Sequence, residues 1–159
     1  MSTPAIELQG LEVVYRVRGI DRPVLRGVDL TIGQGDSYGL VGESGCGKTT
    51  AAYALMRALP ANGRIVGGSI RVNGEDLLAM SGSDVRRLRA TEISMVYQNP
   101  ATALNPALRV GPQIEEAFEL LRLTEAEATR RTQEILAKVQ ISDPTSVMRR
   151  YPHQLSGGM

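Results

Sequence analysis

The chain has 159 residues, of which 42% are hydrophobic and 22% charged, a composition typical of one globular domain with its own core. Its formal net charge of +1 gives no electrostatic reason to expect nucleic acid or an anionic membrane as a direct partner. The single cysteine, Cys46, excludes an internal disulfide and any cysteine-based zinc cluster.

No secretory or membrane-spanning segment is predicted. The start of the chain has neither a basic region nor a long apolar run, so it does not resemble a signal peptide. The longest apolar stretch, residues 51–61, is interrupted by Arg57 and Pro60 and falls far short of the ~20 residues that span a bilayer. We therefore expect a cytoplasmic location, with any membrane role supplied by a partner.

Strand patterns dominate the front part of the chain. Apolar and β-branched residues alternate over residues 6–17 and again over 24–32, with turn residues between them, which predicts an antiparallel start to the fold. Residues 37–41 are nearly all apolar, the pattern of a parallel strand that is buried on both faces. Two further strands are predicted at residues 69–72 and 92–97.

Two helices are predicted among these strands. Residues 48–59 follow a glycine-rich loop and contain helix-forming residues with no helix breaker before Pro60. A short basic helix is predicted at residues 85–89, where Ser83 and Asp84 are positioned to cap its first turn.

After Gln98 the pattern becomes helical. Apolar residues recur at the spacing of one helix face at Val110, Ile114, Phe118 and Leu121. This change of pattern predicts a boundary between two parts of the chain near residues 99–105.

Two more helices are predicted in the second part. Over residues 124–140, Thr124 and Glu127 have the spacing of a capping box. The later apolar face of this helix is predicted to consist of Ile135, Leu136 and Val139. Asp143 and Pro144 can open a third, short helix.

The strongest chemical signal is residues 42–49, Gly-Glu-Ser-Gly-Cys-Gly-Lys-Thr, which match G-x-x-x-x-G-K-[ST] between a predicted strand and a predicted helix. Glycines allow backbone N–H groups to turn towards phosphate oxygens, and the start of a helix adds the positive end of its dipole. In this motif Lys48 reaches the β- and γ-phosphates of a nucleotide and the Thr49 hydroxyl binds Mg²⁺. The predicted phosphate contacts are Gly42, Glu43, Ser44, Gly45, Cys46, Gly47, Lys48, Thr49 and Thr50. The alternative, a glycine-rich turn that only happens to precede Lys48, is disfavoured because both the pattern and its context match.

Cys46 occupies an unspecified position of this loop. The nearby helix N-terminus can lower the pKa of a thiol. Because phosphoryl transfer needs no thiol, we interpret Cys46 as a loop residue without chemistry of its own.

A second motif lies at the other end of the chain, where residues 154–159 read Gln-Leu-Ser-Gly-Gly-Met. This segment resembles the signature motif of the ATP-binding-cassette family, which is usually Leu-Ser-Gly-Gly followed by Gln. Taken alone, Leu-Ser-Gly-Gly is also typical of an ordinary helix-capping turn. Its place after a phosphate-binding loop and a helical segment makes the resemblance specific.

The resemblance is closest to one subfamily. Met159 departs from the usual Gln, and Tyr-Pro-His-Gln-Leu-Ser-Gly-Gly-Met is the form met in importers of oligopeptides, dipeptides and nickel. Similar connecting segments occur at residues 67–70, 74–77 and 85–89. Residues 97–100, 103–106 and 110–114 resemble the Q-loop of that subfamily and the segments next to it. The resemblance runs from about Leu8 to the last residue.

The resemblance implies an α/β fold: a P-loop NTPase core of the RecA-like type, with an antiparallel β subdomain at its front and the start of an α-helical subdomain. Residues 1–98 would form the β subdomain and the phosphate-loop part of the core. Residues 99–159 would form the helical subdomain that ends in the signature motif.

The resemblance also implies roles for individual residues. Gln98 matches the Q-loop glutamine, which contacts Mg²⁺, takes part in catalysis with Lys48 and couples the ATP state to a transmembrane partner; alternatively it is a polar residue that ends a strand. Tyr15 matches the aromatic residue that stacks on adenine, although it could instead pack on the core. His153, the only histidine, is interpreted as structural because no second ligand is nearby. Contacts to the nucleotide of a second subunit are implied for Ser156, Gly157 and Gly158.

The implied function is that of an ATPase subunit, with ATP and Mg²⁺ as cofactors, that energises a peptide-type importer. Its partners would be transmembrane permease subunits, a second ATPase subunit and, indirectly, a solute-binding protein, and it would lie on the inner face of the membrane through the permease. Nucleic acid is not an expected partner.

Two other functions remain open. A soluble member of the same superfamily would act on nucleic acid or ribosomes, but heptads and cysteine clusters are absent and the net charge is near zero. A different P-loop class, such as a small-molecule kinase, is disfavoured by the signature motif.

Part of the implied catalytic machinery has no candidate in the sequence. No apolar run ends in Asp-Glu, so the family's Walker B aspartate and catalytic glutamate, the general base, are not matched, and neither is its switch histidine. We therefore expect that the chain is the front part of a longer protein and that it does not hydrolyse ATP by itself.

Overall fold

The computed structural model describes residues 3–98 and 103–156. The chain forms two compact units, Met1–Arg89 and Ala90–Met159. This division falls before the predicted boundary at residues 99–105. Residues 92–97, predicted as the last strand of the front part, form no strand.

The first unit contains a four-stranded antiparallel sheet in the order β2-β1-β3-β4. Its strands are β1 Ile6–Val17, β2 Ile20–Ile32, β3 Gly63–Val72 and β4 Glu75–Asp76. Arg18 and Gly19, with φ angles of 52° and 80°, form the two-residue turn between β1 and β2. The predicted antiparallel start of the fold is therefore confirmed.

The core of this sheet follows the alternation of β1 with one interruption. Leu8, Leu11 and Val13 are buried. Leu11 and Val13 are two positions apart, as in a regular strand, whereas Leu8 and Leu11 are three positions apart. The change occurs at Gly10, where φ is 55°, the pairing shifts register, and the backbone N–H donates to Asp29 Oδ1 at 2.6 Å. A bulge at Gly10 thus returns the later residues of β1 to the core face.

Two helices complete the first unit. Helix α1, Lys48–Leu55, is shorter than predicted, because Arg57 adopts a left-handed conformation with φ of 48°. Helix α2, Gly82–Thr91, begins earlier than predicted. Its cap is Ser81, whose Oγ accepts from the backbone N–H of Asp84 at 3.2 Å, rather than the predicted Ser83 and Asp84.

Two strand predictions are wrong. Residues 37–41 and 93–97 form neither strand nor helix, and apolar side chains in both segments face solvent: Val41 is 95% exposed and Val96 is 90% exposed. A β-strand exists only when a neighbouring strand accepts and donates its backbone hydrogen bonds. Within the described residues neither segment has such a neighbour.

The second unit is helical, as predicted. It consists of α3 Val110–Glu116, a 3-10 turn at Glu119–Leu121, α4 Glu125–Lys138, α5 Pro144–Arg149 and a 3-10 turn at Pro152–Gln154. Val110, Leu136 and Val147 form its buried core. Helices α3 and α5 approach closely at Gly111, where a Cβ atom would lie 3.0 Å from the carbonyl oxygen of Met148.

Both predicted caps of the second unit are confirmed. Thr124 Oγ1 accepts from the backbone N–H of Glu127 at 3.3 Å, and Glu127 Oε2 accepts from the backbone N–H of Thr124 at 2.9 Å. The Thr124 hydroxyl also donates to Glu127 Oε2 at 2.7 Å, and the two bonds that Thr124 donates to this carboxyl lower its pKa. At α5, Asp143 Oδ1 accepts from Ser146 N–H at 2.9 Å and Pro144 is the first helical residue.

The predicted apolar face of α4 is partly wrong. Leu136 is buried, but Ile135 and Val139 are 41% and 63% exposed, and the other buried residue of α4 is Thr132. Thr132 and Leu136 are four residues apart and therefore share one face, whereas Ile135 is turned ~100° away from Leu136. The predicted single helix face from Val110 to Leu121 also ends early, because α3 stops at Glu116.

Candidate phosphate-binding site

The predicted phosphate loop leads into helix α1, but residues 37–41 before it form no strand. Two glycines of the loop have conformations that other residues rarely adopt. Gly45 and Gly47 have φ angles of 82° and 99°. Gly47 also packs on β2, where an added Cβ would lie 2.7 Å from Leu25 Cδ2. The glycine spacing therefore serves both the turn and a close approach to the sheet.

The N-terminus of α1 has free hydrogen-bond donors. Gly47 is its N-cap and supplies no side-chain cap, and no acidic residue occurs in the first turn. The first hydrogen bond of the helix runs from Ala51 N–H to Gly47 O at 2.9 Å, so the N–H groups of residues 48–50 have no acceptor inside the helix. Free N–H groups at the positive end of a helix dipole stabilise an anion.

Lys48 is folded back over the loop. Its Nζ donates to the carbonyl oxygens of Gly42 at 2.7 Å and Glu43 at 2.6 Å, and lies 3.3 Å from Cys46 Sγ. A Cβ at Gly42 would lie 2.8 Å from Cys46 Sγ and 3.9 Å from Lys48 Nζ, so a larger residue there would crowd the Cys46 thiol. The loop therefore combines a cation with free backbone donors, which suits the phosphate groups of a nucleotide.

Cys46 is an exposed thiol within this loop. The hydrogen bond with Lys48 lowers the pKa of Cys46 below its usual value. In the first turn of α1, Thr49 is exposed and Thr50 is buried. The hydroxyl of Thr49 is thus accessible to a cation that accompanies the phosphates.

Tyr15 lies in the sheet of the same unit. It is half-buried in β1, paired with Arg22 of β2 and Gly63 of β3. A Cβ on Gly63 would lie 2.9 Å from Tyr15 Cε1, so one part of the ring packs on the β3 backbone. The stacking of Tyr15 on adenine stays a prediction.

The remaining predicted site residues belong to the second unit. Gln98 and Ser156 are both exposed, and Gln98 does not end a strand. Gly157 and Gly158 lie outside the described residues, so the structure describes no helix start at the signature motif. The His153 ring stacks on Tyr151 with a centroid separation of 5.7 Å and an interplanar angle of 12°.

Sequence reasoning assigned no role to Arg89. In the structure its guanidinium donates hydrogen bonds to the carbonyl oxygens of Met56 and Arg57. These two residues follow the C-terminal end of α1, the helix that starts at the phosphate loop. These carbonyls lie more than thirty positions away in the sequence, with separations of 33 and 32 residues, so no local pattern could have indicated the contact.

Comparison with known proteins identifies the family. Across residues 25–159 the sequence matches the family described as ABC transporter. The chain belongs to the ABC transporter family. The resemblance predicted from the two motifs is confirmed, and membership of the family implies that the chain binds nucleotide.

The named relatives of this ABC transporter chain are ATP-binding proteins of peptide transport. It is 39% identical to the oligopeptide transport ATP-binding protein OppD of Salmonella typhimurium, over 97% of this chain and 46% of that protein. It is 37% identical to the dipeptide transport ATP-binding protein DppD of Bacillus subtilis, over 97% of this chain and 47% of that protein. The chain thus spans about half the length of the curated relatives it matches.

Solved ABC transporter structures share the fold. The chain aligns to a dimeric structure of MJ0796, described as a bacterial ABC transporter cassette, with a TM-score of 0.79 and 21% identity over 96% of this chain and 64% of that one. A second MJ0796 structure, described as a post-hydrolysis state bound to ADP and Pi, aligns with the same TM-score at 20% identity. The predicted fold class is therefore confirmed. Among the described residues, no helix combines the length and apolar character needed to cross a membrane.

Proposed function

We propose that this chain is the nucleotide-binding part of an ATP-hydrolysing subunit that energises a peptide-type ABC importer. The observation that carries the proposal is the loop at the start of α1, where Lys48 Nζ is held by two loop carbonyls beside a helix N-terminus without a cap. The similarity to OppD and DppD supports the choice of a peptide importer.

In this proposal the loop residues bind the phosphates of ATP. Lys48 neutralises negative charge on the β- and γ-phosphates, and the N–H groups at the start of α1 donate hydrogen bonds to phosphate oxygens. Thr49, together with Gln98, holds Mg²⁺, which supplies charge stabilisation around the phosphates. Tyr15 stacks on the adenine ring, and its packing against Gly63 restrains the ring for that purpose.

The proposed assembly contains proteins besides this one. Permease subunits would carry the solute through the membrane and hold this subunit at the inner face, and a solute-binding protein would act indirectly. A second ATPase subunit would receive Ser156, Gly157 and Gly158 against its own nucleotide. Such an arrangement places each signature motif opposite the phosphate loop of the partner subunit.

Peptide uptake tests the proposal directly. In cells that depend on this importer for a labelled peptide, Lys48→Ala in the full-length protein is expected to abolish uptake, because the loop loses its only cation. The matched control is Lys138→Ala, which removes the only other lysine, in the last turn of α4. Uptake of every tested peptide at the normal rate in the Lys48→Ala strain would contradict the proposed function.

The role of Thr49 predicts a change in the response to Mg²⁺. We expect Thr49→Ala to reduce the gain in ATP affinity that Mg²⁺ gives the full-length protein, while affinity without Mg²⁺ stays near that of the unaltered protein. Thr49→Ser keeps the hydroxyl and should keep the gain. Titration of a fluorescent ATP analogue with Mg²⁺ and with EDTA measures both affinities, and an unchanged Mg²⁺ response in Thr49→Ala would remove Thr49 from the metal site.

A further inference from the structure

Helix α1 depends on contacts beyond its own hydrogen bonds. It has only eight residues, and helices below ~12–15 residues are marginal in isolation. Its buried residues are Thr50, Ala51 and Ala54, whose side chains are small. Because little apolar surface holds α1 in place, the bonds at its ends matter for the position of the phosphate donors at its start.

The carbonyl end of α1 closes in a Schellman motif. The backbone N–H of Ala58 donates to Tyr53 O at 2.8 Å and that of Arg57 donates to Ala54 O at 2.9 Å, with Arg57 in the left-handed conformation. Glycine is the usual residue at this position, and a larger residue there costs about 1–2 kcal/mol. The motif leaves the carbonyl groups of Met56 and Arg57 pointing beyond the helix without backbone partners in the turn.

The Arg89 side chain donates hydrogen bonds to both of these carbonyl groups. Its Nε donates to Met56 O at 2.8 Å, and its Nη2 donates to Met56 O at 2.5 Å and to Arg57 O at 2.8 Å. The bonds are charge-assisted, and the cation lies at the negative end of the α1 dipole. Arg89 is itself anchored, because α2 buries Val85 and Leu88, and Val85 lies one turn before Arg89 on the same helix face.

Arg57 adds a second link at the same end. Its Nη1 donates to the carbonyl oxygen of Met80 at 2.7 Å and to that of Leu77 at 3.4 Å, in the segment that leads into α2. These bonds hold a residue whose backbone conformation is otherwise unfavourable. The two arginines therefore connect the end of α1 to α2 and to the segment before it.

We propose that Arg89 is a positioning residue for nucleotide binding. By fixing the carbonyl end of the short helix α1, it holds the N–H groups of residues 48–50 and Lys48 where the phosphates bind. The proposal rests on the proposed function of the loop, and it assigns Arg89 no contact with nucleotide. A small displacement of a binding group costs affinity even when the displaced group is intact, so loss of Arg89 weakens binding without removing a phosphate contact.

The test compares four full-length proteins: the unaltered protein, Arg89→Ala, Arg89→Lys and Arg86→Ala. Arg89→Ala should raise the Kd for a fluorescent ATP analogue about threefold to tenfold, measured well below the unfolding temperature. Arg89→Lys keeps the charge but loses the planar fork that reaches two carbonyls, so its Kd should lie in between. In phosphate-release assays, Arg89→Ala should raise KM and leave kcat within about twofold of the unaltered protein.

Arg86→Ala is the matched control, since Arg86 is an exposed arginine of the same helix that donates no hydrogen bond to α1 among the described residues. Its Kd should equal that of the unaltered protein. Equal Kd values for Arg89→Ala and the unaltered protein, or equal losses in Arg89→Ala and Arg86→Ala, would overturn the proposal. If Arg89→Ala does not fold, the Kd values of Arg89→Lys and Arg86→Lys are compared instead. A higher Kd in Arg89→Lys alone would support the proposal, and equal Kd values would overturn it. If the unaltered protein binds no nucleotide, the proposed function itself fails.

Discussion

Lys48→Ala is expected to weaken the binding of ATP to the full-length protein about a hundredfold, which corresponds to about 3 kcal/mol. The structure explains why one residue has so large an effect. Lys48 is the only cation in residues 42–50, and its ammonium group lies within 2.7 Å of the Gly42 and Glu43 carbonyl oxygens of the same loop. The free N–H groups at the start of α1 remain in the variant, but they carry only partial charges.

Titration of a fluorescent ATP analogue measures this effect, with Lys138→Ala as the control. Lys138 lies in the last turn of α4 in the second unit, so its removal takes away the same charge without touching the loop. Its affinity for ATP should match that of the unaltered protein. Equal affinities for the Lys48→Ala variant and the unaltered protein would mean that the nucleotide binds elsewhere.

The 159-residue chain by itself is expected to release no phosphate from ATP above the background given by its Lys48→Ala form. Hydrolysis requires a positioned water, a general base and stabilisation of the charge that develops around the γ-phosphate. The roles proposed for Lys48, Thr49 and Gln98 would supply part of this set. No apolar run ending in Asp-Glu occurs among the 159 residues, so the base implied by the family resemblance has no candidate in them.

A phosphate-release assay on the purified chain beside the full-length protein tests this expectation. The full-length protein should turn over ATP and lose activity in Lys48→Ala, whereas the two forms of the short chain should be indistinguishable. Turnover by the short chain above its Lys48→Ala background would show that a carboxylate within these residues acts as the base. Glu43→Gln, which removes the only carboxylate of residues 42–50, would then be the first variant to examine.

Features that depend on neighbouring residues were determined by the sequence alone. The capping box of Thr124 and Glu127 forms within a few residues, so its pattern indicates it directly. A turn after residue 17 was also predicted, although β2 begins at Ile20 rather than at residue 24. The phosphate loop is similar, because its glycines, Lys48 and the following helix are contiguous. Together with residues 154–159, these local patterns were sufficient to predict the family and the fold class, whereas the roles of Tyr15, Gln98 and Ser156 stay predictions.

Features that depend on distant partners were decided by the tertiary structure. Residues 37–41 have a strand pattern but form no strand, because none of the described segments supplies the hydrogen bonds of a neighbouring strand. On α4, packing selected the face of Thr132 and Leu136, although Ile135 is equally apolar in sequence. The bonds of Arg89 to the end of α1 join groups 32 and 33 residues apart, and a residue's sequence neighbours carry no information about which carbonyl groups the fold brings to its side chain.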